Sequence, residues 1–167
     1  MLTVILGLTG ALTYGGADFF GGLAARRSST LLTTTGVALV GLVGLAITAI
    51  FIPAISSADA WIYGGASGLA GAIGIGLLYG SLAIGPMSIL SPATAFISAI
   101  VPVSVGISQG EGGGLGFFIA LALALIAVIL VGFVPEAGAV RPQPIGLLMA
   151  AGSGTFIGLT IVLIDAS

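Results

Sequence analysis

Asp18 is the first residue whose type and place suggest chemistry. Residues 14–22 read YGGADFFGG, and this carboxylate sits in an otherwise apolar, glycine-rich run. Tyr14 lies four residues earlier, one turn back on a helix, so the two side chains share a face. A carboxylate with a neighbouring phenol can bind a cationic group or a proton. A second constellation lies at 88–102, where Ser88, Ser91, Ala95, Ser98 and Pro102 follow a 3-4-3-4 spacing and Pro92 adds a second proline. Each proline removes one backbone donor, so the carbonyls of Ser88 and Ser98 lose their usual helical partners. In lipid such groups must be satisfied by protein or face a wet cavity. The serine hydroxyls have a blander use, bonding back to carbonyls one turn earlier. The whole face, with its two prolines, points to a cavity wall.

Other chemistries are excluded by what the chain lacks. It has no cysteine and no histidine, so disulfides, thiol nucleophiles, the commonest zinc ligands and histidine bases are all absent. GSGTF at 152–156 superficially resembles a serine nucleophile turn, but there is no histidine to activate it. Asp18 and Asp165 are the only candidates for an intramembrane acid pair, and neither lies in a GxGD-like motif. No glycine-rich phosphate cradle is present. The chain is expected not to be an enzyme and to carry no cofactor or metal. It has no basic patch, so nucleic acid is not an expected partner.

The elements that position these residues follow from composition. Of 167 residues, 58% are hydrophobic and 5% charged, against about 25% charged in soluble domains. Too few charges exist to cover a soluble surface. A hydrocarbon core about 30 Å thick needs roughly 20 apolar residues in a helix. Six segments meet this, at 2–24, 31–52, 60–84, 87–108, 114–134 and 145–166. The first lacks a basic start and is longer than a signal-peptide core, so it is expected to be retained. Unbroken apolar runs do not fit the alternation of β-barrel strands. The expected fold is all-α, polytopic and membrane-embedded, with short loops joining antiparallel neighbours and no soluble domain. Seven of the eight charged residues fall in the breaks or at segment ends.

Asp18 is the exception, about five residues past the middle of the first segment, or roughly 7–8 Å at 1.5 Å per residue. Two readings of it are open. It is a shallow carboxylate, hydrated or paired with Arg26 two turns on, that anchors the helix end. Or it is a cavity residue.

Small residues recur every fourth position. Gly64, Gly68, Ala72, Gly76 and Gly80 do so in the third segment, Gly146, Ala150, Gly154 and Gly158 in the sixth, and Gly7, Ala11 and Gly15 in the first. Such stripes let another helix approach closely. The first and sixth segments align at an offset of 139, which brings Gly7, Ala11 and Gly15 onto Gly146, Ala150 and Gly154. This suggests an internal repeat whose second copy begins at the sixth segment. Asp59 before AWIY is expected to cap the third helix, with Trp61 and Tyr63 as interfacial anchors.

Residues 79–103, YGSLAIGPMSILSPATAFISAIVPV, followed by GEGGGLGFFIALALALIAVILVG, resemble the third to fifth helices of EamA-type transporters of the drug/metabolite transporter superfamily. The matching positions are Tyr79, Gly85, Pro86, Ser88, Ser91, Pro92, Pro102, Gly110, Glu111 and Gly132, and TYGGADFFGGLAARRSS resembles the first helix of bacterial members. The motifs are degenerate, and their order and spacing carry the resemblance, which covers nearly the whole chain. The family has ten helices in two five-helix inverted repeats. The resemblance implies a first repeat at 1–140 and the first helix of a second at 145–167, hence a fragment, or else a half-unit that pairs with a second repeat or a homodimer partner. It implies alternating access, with a small-molecule substrate bound near the midplane against the first, third and fourth helices. Secondary transport follows, with export of amino acids, metabolites or drug-like molecules as the common theme. The implied substrate-binding residues are Tyr14, Asp18, Tyr79, Ser88, Ser91, Pro92 and Ser98. The expected location is the cell membrane, multi-pass. Arg26, Arg27 and Arg141 lie on one side, which the positive-inside rule makes cytoplasmic. The family's usual topology has both termini inside, opposite to this, so the orientation stays open. The remaining class is a structural membrane subunit that needs a partner.

Overall fold

The computed structural model describes residues 1–52, 57–110, 114–132 and 143–166. These form six helices, α1 (Leu2–Arg27), α2 (Thr30–Phe51), α3 (Ala58–Ile84), α4 (Met87–Ser108), α5 (Leu115–Gly132) and α6 (Pro144–Asp165). There is no strand among the described residues. Five helices are long and apolar enough to cross a membrane. The exception is α5, with 18 residues, or about 27 Å at 1.5 Å per residue. The chain is thus an all-helical protein of multi-pass membrane type. Glu111 and Arg141 lie outside the described residues.

Local chemistry sets the helix ends. The Ser29 hydroxyl accepts from the Leu32 amide at 3.2 Å and starts α2. Ser57, not Asp59, caps α3, its hydroxyl accepting from the Ala60 amide at 3.0 Å. Asp59 sits in the first turn instead, where its charge suits the positive end of the helix dipole. Pro144 opens α6, where a missing amide hydrogen costs nothing. Gly85 and Pro86 alone connect α3 to α4. A side chain at Gly85 would run into Leu90. Helix α4 runs unbroken through Pro92 and Pro102.

α3 and α4 are sequence neighbours, yet α6 does most of the packing between them, lying along both. The row Gly146, Ala150, Gly154 and Gly158 is buried, as its composition predicted. A Cβ at Gly154 would lie 2.6 Å from the Thr94 carbonyl oxygen, and one at Gly158 would lie 3.0 Å from the Ser98 carbonyl oxygen. The carbonyl freed by Pro102 therefore lies against a glycine of α6. Two hydroxyls tie the helices together. Thr94 Oγ1 donates to the Ala150 carbonyl at 3.2 Å and Ser153 Oγ donates to the Gly74 carbonyl at 2.7 Å, whereas Thr160 Oγ1 bonds back to the Phe156 carbonyl of its own helix at 2.9 Å and lies 3.4 Å from the Ser67 carbonyl. Each hydroxyl is thereby satisfied where there is no water to turn to.

The face of α3 that meets α6 is not the fourfold glycine row. Gly64, Gly68 and Ala72 are exposed, whereas Ser67, Ala70, Gly74, Leu78 and Ser81 are buried. Only the end of the expected row is used: Gly76 approaches Thr34 of α2, and Gly80 packs against Met149. The apolar core gathers Ala25, Leu78, Tyr79, Leu82, Leu90 and Ala150. α2 leans on α3 and α1, and α5 leans on α4.

Candidate functional site

An open cleft of about 390 Å³ lies where α1, the end of α3 and the start of α4 meet. Its wall is Gly15, Asp18 and Phe19 from α1, Leu82 from α3, and Met87, Ser88, Ser91 and Pro92 from α4. The two-residue Gly85–Pro86 turn places the first turns of α4 beside the last turn of α3. Glycines then bring α1 close. Gly21 lies so near the Tyr79 ring that a methyl group there would collide with it, and Gly22 would meet Met87 at 2.8 Å. Arg26 fastens this contact. Its Nε donates to the Leu82 carbonyl at 2.9 Å and its Nη2 to the Gly85 carbonyl at 2.6 Å. The last carbonyls of a helix lack intrahelical partners and carry the negative end of its dipole, so a guanidinium fits there.

The cation of the paired form of the anchor reading is therefore committed elsewhere, which leaves its hydrated form. Both Arg26 bonds go to the end of α3. α1 also extends to Arg27. Asp18 then stands about 5 Å from the helix centre at 1.5 Å per residue, nearer than the segment bounds implied. It is partly buried and faces the cleft.

Four of the seven expected site residues come together here: Asp18, Ser88, Ser91 and Pro92. The other three do not line the cleft. Tyr14 is 77% exposed, on the part of α1 that leaves the bundle. Tyr79 is buried against Gly21 and belongs to the core. Ser98 bonds back to the Ala95 carbonyl at 3.0 Å, and its own carbonyl lies against Gly158. The supposed polar face of α4 is thus divided: Ser88 and Ser91 reach the cleft, Ala95 is exposed, and Ser98 serves the α6 contact. Phe19, Leu82 and Met87 were missed. They are apolar residues in an apolar chain, and only their contacts distinguish them. Gly15 showed in the sequence only as a packing residue.

The arrangement offers one carboxylate and two hydroxyls on an apolar wall, open on one side. Such a site suits a small molecule with a polar or cationic group attached to apolar bulk. No family model matches the chain, and neither a curated protein nor a solved structure matches it.

Proposed function

We propose that this chain is part of a secondary transporter of the EamA type that moves small metabolites, amino acids or drug-like molecules by alternating access, with export as its direction. The cleft at the junction of α1, α3 and α4 would be the substrate site. The observation that carries this reading is the Asp18 carboxylate, open to a 390 Å³ cleft and joined there by Ser88 and Ser91. An intramembrane acid that faces a cavity marks an ion or substrate pathway by default, since its burial in lipid costs about 2.5–3.5 kcal/mol at a helix centre. The glycine contacts of α1 with α3 and of α6 with α4 supply close, smooth faces on which helices can rock. The second reading is a half-transporter or structural subunit that needs a partner. It is favoured by the first half of α1, which is exposed nearly all round.

The test is transport by purified protein in liposomes, with a panel of radiolabelled amino acids and one lipophilic cation as probes. The wild-type chain should move at least one of them, and Asp18→Asn should insert normally but lose most of that flux. Flux unchanged by Asp18→Asn across a pH series would remove Asp18 from the mechanism. No flux from the wild-type chain alone would favour the half-unit.

A further inference from the structure

The cleft has a definite charge and a definite set of hydrogen-bonding atoms, and these choose among the substrates left open above. Asp18 is the one ionisable side chain on its wall among the described residues. No cationic side chain joins it there. Arg26, at the end of the same junction, spends its guanidinium on the Leu82 and Gly85 carbonyls. A second positive pole is the start of α4, where Met87 and Ser88 reach the wall and no side chain caps the helix. The Ile89 and Leu90 amides are already bonded to the Pro86 carbonyl. A helix start carries a partial charge of roughly half a unit, against the full charge of an ionised carboxylate. The balance in the cleft is negative. A zwitterion would have to lay its own carboxylate near Asp18 or on the apolar wall, and a charge buried without a partner is costly. An amine that lacks a carboxylate has no such charge to place.

The acceptors narrow the class further. An ionised carboxylate only accepts, and a serine hydroxyl accepts through two lone pairs whatever its own hydrogen is bonded to. Asp18, Ser88 and Ser91 therefore offer three acceptor groups on one wall, and a primary ammonium has three N–H donors to give. A quaternary ammonium has none and relies on aromatic faces. Phe19 is the only aromatic ring on this wall. With Leu82, Met87 and Pro92 it supplies apolar surface for the rest of the ligand, and phenylalanine and methionine both pack well on an aromatic body.

We infer that the ligand of this cleft is a primary amine on an apolar body, of the arylalkylamine kind, and neither an amino acid nor a quaternary cation. This rests on the cleft being the substrate site proposed above. The test is equilibrium binding of radiolabelled phenethylamine to the full chain in detergent micelles, with phenylalanine, phenethyltrimethylammonium and phenethyl alcohol as competitors. Phenethylamine should bind saturably, and each competitor should be weaker by about tenfold or more, because each loses a charged hydrogen bond or adds an unpaired charge. Asp18→Asn should abolish the binding. Ser91→Ala should weaken phenethylamine several-fold and leave phenethyltrimethylammonium unchanged, whereas a merely structural role for Ser91 would weaken both alike. Equal competition by phenylalanine or by the quaternary analogue would overturn the inference. So would the absence of saturable phenethylamine binding, or an equal effect of Ser91→Ala on both cations. Binding is read without transport, so the two ideas fail separately. Phenethylamine bound but not moved in liposomes would remove the transporter and keep the ligand. Flux of an amino acid without phenethylamine binding would keep the transporter and overturn the ligand.

Discussion

Replacing Gly154 by alanine tests whether the α4–α6 contact holds the bundle together. The new methyl carbon would lie 2.6 Å from the Thr94 carbonyl oxygen and 2.7 Å from Ile97 Cβ, where ordinary contact begins at 3.4 Å. The helices must part locally by about 0.8 Å, the difference between those distances. A gap of that size forfeits roughly a quarter to a half of the dispersion energy across it. Overpacking of this kind costs about 1–3 kcal/mol. The obstructing atoms are backbone and a β-carbon, which have no rotamer to yield, so about 2–3 kcal/mol is expected. Gly68→Ala is the matched control. It sits on α3 with nothing within 4 Å, and it carries whatever helix propensity alanine brings. Reversible unfolding by SDS in mixed micelles, followed by circular dichroism, gives both midpoints. Gly154→Ala should unfold well before Gly68→Ala. Coincident midpoints would refute close α4–α6 packing and the placement of α6 with it.

Two further substitutions probe other joints. Arg26→Ala removes both bonds to the end of α3. Its exposure reduces their worth, so about 1 kcal/mol is expected in the same unfolding assay. Arg26→Lys should recover only part of it, because a point charge cannot span two carbonyls as a fork does. Ser153→Ala deletes the 2.7 Å bond to the Gly74 carbonyl. Interhelical bonds in membrane proteins average about 0.6 kcal/mol, so a small loss is expected and one above about 2 kcal/mol would contradict this account.

The spans were legible because lipid demands them: long apolar runs with polar breaks have few other solutions. The cleft was half legible. Asp18, Ser88, Ser91 and Pro92 stand out against an apolar background, and all four converge. Tyr79 stood out equally and went to the core, since a tyrosine against a glycine packs as readily as it binds. The glycine row of α3 misled for a geometric reason. Four residues turn a helix by about 400°, so a strict fourfold row drifts about 40° per step and has left any one face after a few turns. The observed contact face of α3, through Ser67, Gly71, Gly74, Leu78 and Ser81, alternates threes and fours and stays put. The fourfold row of α6 is buried along its length because α6 has a helix on either side.

That central seat of α6 bears on the order of assembly. Gly74 receives a hydroxyl from 79 residues downstream, and the Thr94 hydroxyl donates to a carbonyl 56 residues downstream. α4 ends at Ser108 and α6 at Asp165, so at about 5–20 residues per second synthesis separates them by roughly 3–11 s. Through that interval α3 and α4 stand joined by their turn with their shared groove unfilled. The contacts of α1 with α3 and α4 can form early, but the groove between α3 and α4 closes only when the sixth helix arrives.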